Sequence, residues 1–291
     1  MSPGTVSFDH LLRLSDETGL LEHARGAIPR RGFGYCVDDA ARGLVVVSRE
    51  RDPPAPVAKL AERYLSFLAH AQAPDGRCHN RLSYDRRWED EPGLGDWWGR
   101  ALWGLGTAAA RHRDRWVRDD ALECFERSAR CRSIWPRAMA FATLGAAEVV
   151  DVHPSHAAAR AVIVATVETI GRPARTGARS GAWPWPEPRL SYANAVLPEA
   201  LIAAGVALAD EGLLADGLDL LGWLLDTESS GGHLSVTPVG GWAPGESRPG
   251  FDQQPIEAAA IAGWTTYSSA TSRSSRRAWG RASNRQPTGA F

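Results

Sequence analysis

What most limits the fold of this chain is a set of segments that are apolar almost all the way round a helix and rich in Ala and Gly. They are Ala40 to Val47, Ala101 to Ala110, Ala138 to Ala147, Leu201 to Ala209 and Ile256 to Ala262. A helix with no polar face has to be enclosed by other helices, and small residues let those neighbours come close. Amphipathic segments alternate with them. Pro56 to Gln72 lines up Val57, Leu60, Ala61, Tyr64, Leu65 and Leu68 on one stripe, with Lys59, Glu62, Arg63 and Ser66 opposite. Trp116 to Arg130 does the same with Val117, Ala121, Cys124, Phe125 and Ser128. The stretches 157–170 and 213–225 are less cleanly striped. Pro136, Pro154, Pro198 and Pro255 fall where first helical turns are expected. Alternating strand patterns are scarce, and His233 to Val239 is predicted to be a short ribbon. The order predicts an all-α fold, an inner ring of helices enclosed by an outer ring: a toroid of helical hairpins spanning residues 6–262.

Composition removes several classes of function. With a formal net charge of -1 there is no basic field to hold a phosphate backbone, so nucleic acid is not the expected partner. Lys59 is the sole lysine among 33 basic residues, which reads as coding bias and not as recognition chemistry. Cys36, Cys78, Cys124 and Cys131 show no CxxC spacing, so free thiols are expected and no metal or cofactor site. Residues 1–10 lack a basic segment followed by an apolar one, and no apolar run reaches membrane-spanning length. A cytoplasmic, reduced protein is the expectation.

The segments leading into the all-apolar helices carry the unusual chemistry: Gly32 to Asp39, Trp88 to Arg100, Trp183 to Asn194 and Gly231 to Gln254. They hold Trp88, Trp97, Trp98, Trp183, Trp185 and Trp242, half of the twelve tryptophans. If the inner helices run parallel, these loops emerge at one end, and acids and aromatics gather there.

Four separated motifs carry a family likeness. Gly34 to Arg42 reads Gly-Tyr-Cys-Val-Asp-Asp-Ala-Ala-Arg, and Gly99 to Gly106 reads Gly-Arg-Ala-Leu-Trp-Gly-Leu-Gly. Trp183 to Pro188 reads Trp-Pro-Trp-Pro-Glu-Pro, followed by Leu-Ser-Tyr-Ala-Asn-Ala from Leu190. Phe251 to Ala258 reads Phe-Asp-Gln-Gln-Pro-Ile-Glu-Ala. In this order they resemble the six-hairpin, (α/α)6-barrel glycosidase-like domains found alone or fused behind family 4 type glycosyltransferases in bacteria. The resemblance implies an oligosaccharide ligand and a glycosyltransferase as partner. The chain departs from that pattern in keeping Asp96 but offering Trp98 where a His is expected. It departs again beyond Ile261.

The candidate catalytic carboxylates are Asp38, Asp39, Asp96, Glu187, Asp252 and Glu257. Asp38 and Asp39 exceed what one helix cap requires; N-capping together with an i,i+3 or i,i+4 pairing with Arg42 is the plain alternative. Asp96 stands beside tryptophans. Glu187 lies between Pro186 and Pro188, where helix capping cannot explain it, and Asp252 could cap the helix entered through Pro255. Glu257 lies inside an apolar helix, where an acid must find a partner or face a wet cavity. Trp97, Arg100, Trp183, Trp185, Tyr192, Asn194, His233 and Gln253 are the candidate substrate-binding residues, as aromatic faces and hydroxyl binders. Cleavage of a glycosidic bond needs one protonated acid and one ionised carboxylate, which such a set can supply. A non-catalytic binding or scaffold domain is the alternative, and a sugar epimerase, which would want paired histidines, comes third.

Residues 263–291 contain no Leu, Ile, Val, Asp or Glu and read as a shifted frame or a basic tail. A closed ring of six hairpins needs twelve helices and the pattern supplies about ten, so the toroid is expected to be incomplete at its C-terminal end.

Overall fold

The structure, a computed structural model, describes residues 7–171 and 183–263. The expectations for the tail from Trp264 onward lie outside the described residues. The fold is all-α, as the apolar pattern requires. Among the described residues ten helices run in the order α1 (Asp9–Leu14), α2 (Val37–Arg49), α3 (Ala55–Ala71), α4 (Asp96–Arg111), α5 (Arg115–Ser128), α6 (Pro136–Val152), α7 (Ala157–Ile170), α8 (Val196–Leu208), α9 (Glu211–Thr227) and α10 (Pro255–Gly263). Strands among the described residues are two residues long. They form β1 (Ala24–Arg25) with β2 (Ile28–Pro29), β3 (Tyr35–Cys36) with β4 (Arg81–Leu82), and β5 (Ser229–Ser230) with β6 (His233–Leu234), all antiparallel. The chain divides into two compact units, Met1–Thr169 and Ile170–Phe291.

In the first unit α4 and α6 are the most enclosed helices, and α2 joins them with one edge open, where Val46 is 49% exposed. Every residue of α6 from Arg137 to Val150 is buried. Backbone packs on backbone along their contacts: a Cβ on Gly99 would overlap the carbonyl of Ala138, one on Gly106 that of Gly145, and one on Gly145 that of Leu102. A Cβ on Gly104 would stand 2.8 Å from the Ala41 carbonyl oxygen. The registers fix direction. Position 99 faces 138 and position 106 faces 145, so α4 and α6 run parallel. Asp38 meets Arg100 and Ala41 meets Gly104, so α2 is parallel to them as well. At the opposite ends Arg49 of α2 and Arg111 of α4 both reach the buried Glu148 of α6, at 2.8 and 2.6 Å.

Outer helices return along these three. Tyr64 of α3 lies against Gly43 of α2. Thr166 ties α7 to α6, its hydroxyl 2.6 Å from that of Thr143 and 3.1 Å from the Met139 carbonyl. The weakly striped stretch 157–170 still buries one face, Ala159, Val162, Ile163, Thr166 and Ile170. In the second unit α8 is enclosed from Val196 to Gly205. It pairs antiparallel with α9, Gly205 against Leu214 and Gly217 against Ile202. Here too the weak stripe holds: Leu213, Asp216, Gly217, Leu220, Leu221 and Leu224 form the buried face.

Three local expectations are corrected. Pro154 is not in the first turn of α7, which begins three residues later, after His156 has accepted the Ala159 amide on Nδ1. The ribbon from His233 stops at Leu234, because the chain beyond turns to pair Pro238 with Gln253. The helix at Ile256 to Ala262 is not buried all round: α10 packs against α8 and buries Glu257 and Ile261, while Ala258 and Ala259 are exposed.

Candidate functional site

Because α2, α4 and α6 are parallel, the loops entering them emerge at one end of the first unit, as parallel inner helices require. Asp38 and Asp39 occupy the first turn of α2, and Cys36, not either aspartate, stands at the N-cap. Asp38 points to the neighbouring helix, where its Oδ1 accepts from Arg100 Nη1 at 2.9 Å. The Cys36 thiol donates toward Asp38 Oδ2 (3.5 Å) and Asn80 Oδ1 (3.3 Å). Asp39 forms the expected i,i+3 pair, with Arg42. Arg100 is nine-tenths buried and its guanidinium lies 4.5 Å from the Phe141 ring centroid. Asp96 is the first residue of α4, half-buried, one turn before Arg100.

Electrostatics separate the two neighbouring aspartates. Burial holds the Asp39 carboxyl above its ordinary value of 3.8, and Arg42 opposes this only in part. Burial, reinforced by Asp38 and Asp39, also pushes the Cys36 thiol far up, so it is a protonated donor and not a nucleophile. Ligand atoms of Glu22, Cys36 and Asp39 lie within 4.8 Å of one another. Both carboxylates already carry a guanidinium, Arg81 on Glu22 and Arg42 on Asp39, which supplies the positive charge there.

The Asp39 shift has a measurable sign. An acid whose folded pKa is raised binds more protons folded than unfolded, so its contribution favours the fold below the ordinary carboxylate value and is lost as pH rises through the folded pKa. Asp39→Asn abolishes this term. Its melting temperature relative to the wild type is therefore expected to rise between pH 3.5 and pH 7; a pH-independent difference would remove the assignment.

Two of the tryptophans act within the fold. Trp97 donates from Nε1 to the Cys78 carbonyl at 2.7 Å and lies over Gly93 and Gly95, closing its own loop. Trp98, standing where the family pattern has His, is wholly buried. Between α3 and α4, His79 donates from Nδ1 to the Asp90 carbonyl at 2.6 Å and stacks on Trp88 with centroids 4.7 Å apart.

In the second unit Glu187 is half-buried and braced by two indoles. Trp183 Nε1 donates to its carbonyl at 2.7 Å and Trp185 Nε1 to its Oε2 at 3.3 Å. Both rings pack on Trp223 of α9, at 5.0 and 5.8 Å, and Trp183 also meets Trp242 at 5.9 Å. Glu257 finds its partners in the turn before α8. It accepts from the Ala193 amide, from the Asn194 amide at 3.0 Å and from Asn194 Nδ2 at 3.3 Å. Asn194 is fully buried and its Oδ1 accepts the Ser191 amide at 2.9 Å, so it closes the turn as well. Glu257 and the exposed Tyr192 line an open cavity of about 250 Å³ with Ser191, Thr237, Pro238, Val239 and Gln254.

The other candidates stand apart from that cavity's lining. Asp252 is exposed with φ 63°, three residues before α10 and therefore not its cap. Gln253 donates to Ser235 Oγ at 3.2 Å, and His233 is exposed on β6. The structure adds Glu228, which periodicity does not single out. It is wholly buried, and its Oε1 accepts from the amide and hydroxyl of Thr237, a residue of the cavity lining, at 3.1 and 2.6 Å.

No family model and no curated protein matches this chain. Among solved structures it is similar to a sugar epimerase from a ruminal bacterium, with a TM-score of 0.60 and 15% identity over 78% of this chain and 70% of that one. At that identity the likeness shows the fold.

Proposed function

We propose that this chain is a carbohydrate-active enzyme that cleaves a glycosidic bond in an oligosaccharide, and that the N-terminal ends of α2 and α4 carry its chemistry. The observation that supports this reading most is the unequal pair of neighbouring aspartates: Asp38 in an ion pair with the buried Arg100, Asp39 with its carboxyl raised by burial. Two carboxyl groups held in different surroundings are what an acid and its counterpart require. Asp39 gives the proton to the leaving oxygen. Asp38 or Asp96 takes the second part, attacking or activating water. In the second unit, taken by itself, the Trp-braced Glu187 and the cavity at Tyr192 and Glu257 form a sugar-binding site of their own, with Glu257 acting as an anchor for the turn before α8. A glycosyltransferase as partner belongs to the same reading.

Epimerisation is the second reading, favoured by the likeness to a sugar epimerase and by His79. With Nδ1 donating to Asp90, the Nε2 of that imidazole carries the lone pair a C–H-abstracting base needs. One incubation in D₂O separates the readings. Hydrolysis of an oligosaccharide creates new reducing ends without deuterium on carbon; epimerisation keeps the number of reducing ends and exchanges a C–H. Under the first reading Asp39→Asn lowers kcat by about two to four orders of magnitude. An unchanged rate of bond cleavage in that variant would take Asp39 out of the mechanism, and binding without either product would leave a binding domain.

A further inference from the structure

The parallel packing of α2, α4 and α6 places more than acids at their common end. Large apolar side chains stand exposed on both flanks of it. Phe33 (57% exposed) and Tyr84 (48%) lie on the α2 side, and Ile134 (80%) and Trp135 (60%) precede α6. Tyr84 is anchored through its ring and Trp135 through its backbone. Tyr84 follows β4, which pairs with β3, and its ring stacks on the buried Tyr35 with centroids 6.3 Å apart; the guanidinium of the exposed Arg31 lies 5.7 Å over it, a flexible cover that a sugar face would have to displace. The Trp135 amide donates to Ser133 Oγ at 3.1 Å, and that hydroxyl donates to the Leu94 carbonyl of the loop entering α4, at 2.7 Å. The Trp135 carbonyl accepts the Met139 amide, and Pro136 fixes the next residue.

We infer that Tyr84 and Trp135 are two sugar-stacking platforms at opposite flanks of one elongated binding surface, whose ligand is a neutral oligosaccharide lying across the N-terminal ends of α2, α4 and α6. The inference rests on the carbohydrate reading above and deepens it. Aromatic rings on an anchored backbone have few rotatable bonds to immobilise when a ligand covers them, and the CH face of a pyranose is the partner that tolerates the charged ground between. That ground holds Asp38, Asp39, Asp96, Arg42 and Arg100. An apolar helix laid across it would strand those charges, and a phosphate chain would meet three acids. Adjacent helices pack about 8–10 Å apart, so the flanks are separated by up to roughly 20 Å, beyond the reach of one monosaccharide.

The test is calorimetric titration of wild type, Trp135→Ala, Trp135→Phe and Tyr84→Ala with di- and hexasaccharides of the malto, cello, xylo and chito series. For a hexasaccharide that the wild type binds, each alanine variant is expected to bind about tenfold more weakly, the phenylalanine variant to retain most of the affinity, and the disaccharide to be little affected. Unchanged hexasaccharide affinity in both alanine variants would overturn the platforms while leaving the carbohydrate reading standing, and so would an equal loss for both chain lengths. A wild type that binds none of these sugars would overturn both.

Discussion

Gly145→Ala is expected to lower the stability of the chain by about 3 kcal/mol, the upper end of what an overpacked core costs. The added methyl meets the Leu102 carbonyl and the Cα of Trp103, backbone on a rigid neighbouring helix, so no flexible side chain can give way. Gly222→Ala in α9 is the matched comparison. A Cβ there meets nothing within 4 Å, and losing a helix-interior glycine should stabilise by about 0.5–1 kcal/mol. Denaturant melts of the two variants read the difference directly. Equal effects would show that the α4–α6 contact is looser than its glycines imply.

Breaking the ion pair between α2 and α4 is the second large effect. Arg100→Ala leaves Asp38 with most of its surface buried and no guanidinium, and one-sided loss of a buried pair costs about 3–5 kcal/mol. Replacing both partners, Asp38→Leu with Arg100→Met, removes the stranded charge and should recover most of that stability, since apolar substitutes of similar volume are often neutral. Turnover should not return with it if Asp38 has a part in the chemistry. A double variant as unstable as the single one would mean that the pair's geometry, not its charge, holds these helices together; a fully active double variant would strip Asp38 of any chemical part.

Much of this architecture is legible in the sequence, for a physical reason. The segments that became α2, α4, α6 and α8 have almost no polar face, and such segments are driven in water toward enclosure by other helices, although Val46 of α2 and Val206 of α8 stay exposed. The segments 157–170 and 213–225 were harder because their outward faces are themselves rather apolar; Val164 of α7 is 45% exposed. Packing decided which stripe went inside. Side-chain partners across the fold were less legible. That Asp38 turns to Arg100 while Asp39 turns to Arg42 depends on a contact 62 residues away, which spacing cannot reveal. Trp183 and Trp185 read as sugar faces in the sequence, and the structure shows their rings also engaged with Trp223, a residue of an outer helix. Glu257 was recognisable as an acid in need of a partner, but the partners are backbone amides, and backbone amides are the same in every sequence. Tyr84 and Trp135 carried no signal at all, because a rim residue is defined by exposure and not by pattern.

The glycine contacts between α2, α4 and α6 ask for smallness and nothing more. Gly99, Gly104, Gly106 and Gly145 meet main-chain atoms, which every residue possesses, so the rule these contacts impose on a partner helix names no side chain. Such an arrangement stores little information in residue identity. Chains can diverge almost everywhere, exchange one apolar residue for another and rebuild their loops, and still keep the same helices in the same register, provided that a handful of positions never grow a side chain.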